Sequence, residues 1–170
     1  MSLVHLVGID ALSQETVHCL LKSACFCREL VKNSGGCDAL KHRVLASAFW
    51  EPSTRTSSSF HAAMVRMGGG VIVVDEGKSS SMKGESFGDT IRTLSSYGDA
   101  IVLRHPDKGS ASRAAAISPV PVINAGDGTG EHPTQALLDL FTIQSELGSG
   151  PAGKHVCILG DLKHGRTAHS

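Results

Sequence analysis

The chain has no excess of charge of either sign and no long apolar run. Its 170 residues carry 16 Lys and Arg against 16 Asp and Glu, a formal net charge of zero. A neutral chain has no overall field that recruits nucleic acid or an anionic membrane, so we expect neither as a partner. No apolar stretch approaches the roughly 20 residues of a membrane-spanning helix, and the N-terminal stretch lacks the basic and apolar regions of a signal peptide. A site for an anionic metabolite must therefore be local.

Spacings that would predict a disulfide framework, a zinc site or a nucleotide loop are also missing. The cysteines number five, which is odd, and their spacing fits no disulfide or zinc pattern. We therefore expect reduced thiols in a cytoplasmic compartment and no metal site. There is no Gly-x-x-x-x-Gly-Lys, and no Gly-x-Gly-x-x-Gly follows a strand-like run. We therefore predict that the protein uses no cofactor.

What is present is an alternation of short apolar runs with helix-like segments. The runs lie at 44–50, 71–74, 100–103 and 119–124. Continuous apolar strands are typical of a parallel sheet covered on both faces. The pattern therefore predicts an α/β fold, a parallel four-stranded sheet with helices on both faces. The prolines that begin the last run predict an edge strand there, and the last helix is predicted to bury Leu137, Leu138, Phe141 and Leu147.

A glycine-rich stretch near the C-terminus predicts a domain boundary. Residues 148–153 read Gly-Ser-Gly-Pro-Ala-Gly, a composition typical of a linker. We predict one domain over 1–148, followed over 149–170 by the linker and the start of a second α/β domain. The apolar run 154–160 is predicted to be the first strand of that second, truncated domain.

The run Ser53-Thr54-Arg55-Thr56 stands between a strand-like run and a helix-like run. Unpaired N–H groups and the dipole at a helix N-terminus attract anions. The hydroxyls add donors, and the Arg55 guanidinium can grip two phosphate oxygens at once. The run therefore predicts a phosphate site. The competing interpretation is a plain helix cap, because Ser and Thr are the preferred capping residues.

Three other polar stretches carry candidate residues, each with an ordinary structural alternative. Arg104 follows a buried strand, where ligands bind in open parallel sheets, but it is also compatible with a surface arginine. His132 and Gln135 share one face at the start of the last helix, where a histidine is more often a capping or packed residue. The polar stretch 75–86 has the composition of a solvated loop.

These motifs together resemble the aspartate and ornithine carbamoyltransferases, and most closely the aspartate carbamoyltransferase family. Residues 53–56 look like its carbamoyl-phosphate motif, and 79–85 like the loop that enters the neighbouring subunit's active site. His-Pro-Thr-Gln at 132–135 is similar to the family signature, and 161–167 matches the first turn of the aspartate domain. Ser57, where bacterial members often carry arginine, resembles the animal form within a multifunctional polypeptide. The resemblance covers essentially the whole chain.

The resemblance implies carbamoyl transfer from carbamoyl phosphate to L-aspartate, a step of pyrimidine biosynthesis, without a protein nucleophile or metal. It implies a homotrimer in which Ser79 and Lys83 reach the neighbouring site, and it makes Arg166 a ligand of the aspartate carboxylate. Because the second domain is truncated, we expect the chain alone to be inactive. The implied catalytic groups are Arg55, Thr56, Lys83, Arg104 and His132, and the implied substrate-binding groups are Ser53, Thr54, Arg55, Thr56, Ser79, Lys83, Arg104, His132, Gln135 and Arg166. Ornithine carbamoyltransferase and a non-catalytic assembly module stay open as alternatives.

Overall fold

The computed structural model describes residues 5–75, 85–148, 150–163, 165 and 170. Four strands form one parallel sheet in the order β2-β1-β3-β4, which confirms the predicted sheet. The elements are α1 (Gln14–Ser34), β1 (Val44–Phe49), α2 (Thr54–Arg66), β2 (Gly70–Asp75), α3 (Phe87–Tyr97), β3 (Ala100–His105), α4 (Ser110–Ala115), β4 (Val122–Asp127) and α5 (Pro133–Leu147).

Helices cover both faces of the sheet because each strand presents apolar side chains alternately to either side. On one face, Ile91 of α3 and Ala114 of α4 pack with Ile101 and Leu103 of β3. On the opposite face, the neighbouring Val102 packs in a second cluster with Leu45 and the partly buried Phe60 and Met64 of α2. The two-faced architecture predicted from the continuous apolar runs is therefore confirmed.

The direction in which strands are added to the sheet reverses between β1 and β3, because β2 follows β1 on one side and β4 follows β3 on the other. The helix after β1 is α2, which lies on one face, and the helix after β3 is α4, which lies on the other. Such a divergence opens a crevice at the carboxyl ends of the two strands, where open α/β sheets bind ligands. The loop carrying Ser53 and the end of β3 carrying Arg104 both border this crevice.

At the opposite end of the sheet, Asp99 joins the starts of β1 and β3. Its Oδ1 lies 2.6 Å from Nη1 of Arg43, and its Oδ2 accepts a hydrogen bond from the Val44 backbone N–H at 2.8 Å. The hydrogen bond from the Val44 N–H, and to a smaller extent that from the Arg43 guanidinium, favour the ionised carboxylate. Together they hold the pKa of Asp99 below its usual value. The contact anchors the end of the sheet away from the crevice.

The fourth strand is an edge strand, as predicted, but it begins later and ends later than its sequence pattern suggests. Pro119 and Pro121 have no N–H to donate to a ladder, so β4 starts at Val122. The strand then continues to Asp127, three residues beyond the end of the predicted run. The N-terminal segment covers part of its outer edge, since Leu6 N donates to the Val122 carbonyl and Leu6 O accepts from Asn124 N, both at 2.8 Å.

Two predictions for the C-terminal part are wrong. Residues 154–160 form no strand, because a β-strand is stabilised by ladder hydrogen bonds and this stretch pairs with no strand of the described sheet. Leu138 and Leu147 of α5 are more than half exposed, so neither lies in the core face predicted for the last helix. The boundary at 148–149 stays a prediction. Within the described residues, no helix is long and apolar enough to cross a membrane.

Candidate active site

The N-terminus of α2 lies at the crevice without a cap from its own N-cap residue. Ser53 has φ −156° and ψ 88°, and its side chain makes no capping hydrogen bond. Its carbonyl accepts from the Ser57 N–H at 3.0 Å, the first bond of the helix, and from the Ser57 hydroxyl at 2.6 Å. The simple capping interpretation is therefore not supported. The first-turn amides of Thr54, Arg55 and Thr56 keep the geometry of an anion site.

Arg104, at the end of β3, connects three strands at this edge. Its side chain is only 18% exposed, and its Nε lies 3.4 Å from Oε2 of Glu51 in the loop after β1. Its Nη1 donates to the Ala125 carbonyl of β4 at 3.3 Å, and its own carbonyl accepts from Trp50 N at 2.8 Å. Arg104 is thus a positioned cation rather than a surface arginine, and Glu51 offsets part of its charge.

His132 and Gln135 begin α5 at the same edge, and each has a side-chain partner on its own helix. His132 is the N-cap residue and is 8% exposed, with Nδ1 at 3.1 Å from the Thr134 hydroxyl. Gln135 Nε2 donates to Oδ1 of Asp139 at 3.0 Å. A carboxylate accepts only from the amide nitrogen, so Asp139 sets which end of the Gln135 amide is the acceptor. In this orientation the amide oxygen of Gln135 is the end that can accept a hydrogen bond.

The buried carboxylate of Asp127 joins the loop after β3 to the loop after β4. Its Oδ2 accepts from Gly109 N and its Oδ1 from Glu131 N, both at 2.7 Å. Between them, Gly128 N donates to the His105 carbonyl at 2.8 Å. Gly128 has φ +58°, and a Cβ there would overlap the Pro106 carbonyl, so only glycine allows this approach. The segment that carries His132 is thereby fixed against the segment that follows Arg104.

An aromatic cluster brings the start of α3 to the same edge. The rings of Trp50, Phe87 and His105 lie with centroids 5.1–5.7 Å apart in tilted or edge-on arrangements. His105 Nδ1 accepts from Asp107 N at 3.0 Å. The ring of His105 therefore packs between Trp50 and Phe87, which is a structural role.

The structure brings the described candidate residues to one edge of the sheet, although their individual roles stay predictions. Those residues are Ser53, Thr54, Arg55, Thr56, Arg104, His132 and Gln135. Ser79, Lys83 and Arg166 lie outside the described residues. In the described part of the chain, no group of three or more His, Cys, Asp or Glu side chains could hold a metal ion.

Sequence reasoning assigned no role to Glu51, Asp127, Thr134 or Asp139. Asp139 is four residues from Gln135 on a predicted helix, a spacing at which side chains meet. That signal was present in the sequence. The contacts of Glu51 and Asp127 depend on how separate loops meet, which local spacing does not reveal.

Comparisons with known proteins place the chain among carbamoyltransferases. Residues 4–145 match the family model for the aspartate/ornithine carbamoyltransferase, carbamoyl-P binding domain. The chain is 54% identical over 166 residues to multifunctional protein pyr1-3 of Dictyostelium discoideum and 51% identical over 166 residues to multifunctional protein CAD of Squalus acanthias. Each match covers 98% of this chain and 7% of the longer protein.

A solved structure agrees with these relatives. The chain superposes on Trypanosoma cruzi aspartate transcarbamoylase in complex with carbamoyl phosphate and aspartate with a TM-score of 0.94 and 42% identity. The match covers 98% of this chain and 52% of that one. The chain therefore spans about half of this enzyme chain and a small part of the multifunctional relatives.

The contact between Glu51 and Arg104 predicts an effect on phosphate affinity. Glu51→Gln keeps the shape of the side chain and removes a negative charge from the crevice. We expect inorganic phosphate to bind about fivefold more tightly, because one unit-charge interaction at ~4 Å in water-like surroundings amounts to ~1 kcal/mol. Isothermal titration measures the change.

The control for this experiment is Glu146→Gln, which makes the same charge change at an exposed position near the end of α5 and should leave affinity unchanged. Equal or weaker phosphate binding by Glu51→Gln would contradict the proximity of Glu51 to the anion.

Proposed function

The chain belongs to the aspartate/ornithine carbamoyltransferase family, as its carbamoyl-phosphate-binding domain, and from this we propose that it supplies the carbamoyl-phosphate half of an active site that carbamoylates L-aspartate. The observation that carries the proposal is the α2 N-terminus that Ser53 leaves uncapped, beside the positioned guanidinium of Arg104. Helix donors and an arginine at one crevice suit a phosphoryl group.

In the proposed reaction, the amine of aspartate attacks the carbamoyl carbon. The bond from that carbon to the bridging oxygen breaks, and phosphate leaves with the electron pair. An oxygen of the departing phosphate accepts the amine proton. The products are N-carbamoyl-L-aspartate and phosphate, as in pyrimidine biosynthesis. Holding two anions in reactive geometry is the main demand on the protein, because no covalent enzyme intermediate is required.

Different residues are proposed to bind the two ends of carbamoyl phosphate. Ser53, Thr54 and Arg55 hold the phosphate at the start of α2. Thr56, Arg104 and His132 surround the carbonyl oxygen, where negative charge grows in the tetrahedral intermediate, and donors placed there lower the barrier. Gln135 accepts from the carbamoyl amide, in the orientation that Asp139 supports.

Aspartate capture is assigned to groups beyond this domain, together with Arg166. The chain spans about half of the Trypanosoma cruzi aspartate transcarbamoylase chain, so we propose that the domain alone binds carbamoyl phosphate and does not turn it over. Aspartate rather than ornithine is the proposed acceptor, because the similar structure is named an aspartate transcarbamoylase and was solved with aspartate. The five cysteines form no disulfide, which supports a cytoplasmic location.

A homotrimer is the proposed assembly, with Ser79 and Lys83 reaching the neighbouring subunit's site. Its support is the exposed edge of the sheet at β2. Val73 in this edge strand is 62% exposed and Val65 of α2 is 67% exposed, and unpaired edges with apolar side chains favour association. Residues 79 and 83 are four and eight positions beyond the end of this strand in the sequence.

The phosphate assignment predicts that Arg55→Ala weakens carbamoyl-phosphate binding by ~1.5–3 kcal/mol, about 10- to 150-fold in Kd, the usual effect of a charged hydrogen bond. Isothermal titration of freshly dissolved carbamoyl phosphate into the chain measures it. Arg66→Ala is the matched control, since it lies 11 residues further along α2, at ~1.5 Å per residue about 16 Å away. Unchanged affinity of Arg55→Ala would favour the non-catalytic assembly module.

The assembly predicts a sedimentation result. The chain has a mass of 17.8 kDa, so analytical ultracentrifugation of a trimer should give about three times that mass. We expect Val73→Glu to shift the species to the monomer, because it places a charge at the proposed interface. Phe26→Glu, at a 68% exposed position of α1, should leave the trimer intact. A monomeric wild-type chain at every concentration would contradict assembly through this domain.

A further inference from the structure

The Thr134 hydroxyl lies 3.1 Å from Nδ1 of His132, whose ring is almost fully buried. A neutral imidazole has one donor and one acceptor nitrogen, and the partner of one nitrogen decides where the proton resides. A hydroxyl can play either part. The chemistry available at Nε2 of His132 therefore depends on which way the Thr134 hydroxyl points.

The surrounding hydrogen bonds favour donation from Thr134. In a helix, a threonine hydroxyl commonly donates to a carbonyl three or four residues earlier. The carbonyl three residues before Thr134 is that of Glu131, and it already accepts from Asp127 N at 3.3 Å and from Asn124 Nδ2 at 3.4 Å. That carbonyl is engaged twice, and the hydrogen bond that the structure gives the Thr134 hydroxyl is the one to Nδ1 of His132 at 3.1 Å.

The backbone between the two residues keeps this contact in place. Pro133 is fully buried and occupies the first turn of α5, where its fixed φ suits the helix start. His132, before it, is the N-cap residue, and its carbonyl accepts from Gln135 N at 2.8 Å. The backbone of residues 132–134 is therefore fixed in the conformation that brings the Thr134 hydroxyl to Nδ1 of His132.

We propose that Thr134 is a positioning residue that donates to Nδ1 of His132 and so keeps the ring proton on Nε2. This inference rests on the proposed function. The proton on Nε2 makes His132 a hydrogen-bond donor toward the carbonyl oxygen of carbamoyl phosphate without requiring a charged imidazolium. The opposite tautomer would present a lone pair to the developing oxyanion. The residue acts through His132 and does not itself contact the substrate.

Nitrogen-15 NMR of the histidine side chains tests the tautomer in the ligand-free chain. The signal of His132 among the nine histidines is identified by its loss in His132→Asn. We expect the wild-type ring to carry its proton on Nε2. A wild-type ring protonated on Nδ1 would overturn the proposal, whatever the variants show.

Variants of Thr134 test the cause. In Thr134→Val, which keeps the branched shape and lacks the hydroxyl, we expect the ratio of Nε2–H to Nδ1–H to fall about two- to thirteenfold, a hydrogen bond of ~0.5–1.5 kcal/mol converted through RT. Thr134→Ser, which keeps the hydroxyl, should restore the wild-type ratio. Thr142→Val is the matched control on the same helix, because the Thr142 hydroxyl donates to the Leu138 carbonyl at 2.9 Å. An unchanged ratio in Thr134→Val would overturn the proposal.

Binding separates this proposal from the proposed function. Because only the Nε2–H fraction donates, the Kd for carbamoyl phosphate should rise in Thr134→Val as that fraction falls, and return in Thr134→Ser. If the ring proton stays on Nε2 because of Thr134 but the chain does not bind carbamoyl phosphate, the positioning role is supported and the proposed function is contradicted. A rise in Kd without a tautomer change would contradict the positioning role alone.

Discussion

The guanidinium of Arg104 holds the carboxyl ends of β1, β3 and β4 together, and the site at this edge depends on it. A charged side chain that is mostly buried is tolerated when it is paired. Here Nη1 donates to the Ala125 carbonyl, and Nε forms an ion pair with Oε2 of Glu51 at 3.4 Å. The same cation is thus a structural link between strands and, in the proposed function, a group that contacts the anion. The divergence of α2 and α4 at this point leaves room for a ligand beside it.

The start of α2 shows how stability and anion binding compete for the same groups. A capping serine typically stabilises a helix by ~1 kcal/mol by satisfying a first-turn amide. Ser53 makes no such bond, whereas Ser13 and Ser86 cap α1 and α3 by accepting from Thr16 N and Asp89 N. Of the three helices with a serine at the N-cap, α2 is thus the one whose serine makes no side-chain cap. The missing cap is what we expect where an external anion takes its place.

Sequence patterns predicted the sheet and its two covered faces, because these follow from apolar periodicity and from the order of elements. The edge to which they assign the site stays a prediction. They failed where a neighbour decides the outcome. The run 154–160 is apolar enough for a strand but has no partner strand to pair with, and Leu138 has helical spacing but faces no packed layer. Glu51 and Asp127 escaped notice for the same reason, since their partners lie in other loops.

Amide mapping of the ligand site is the most direct test of the central claim, that the start of α2 is a pre-formed anion site in this domain. Inorganic phosphate is titrated into the uniformly nitrogen-15-labelled chain, and amide shifts are followed by NMR. We expect saturable shifts centred on residues 54–57, with smaller changes at Arg104. Shifts centred instead on the distant groove between α1 and α5, lined by Val17 and Leu140, or no saturable shift at the start of α2, would contradict it.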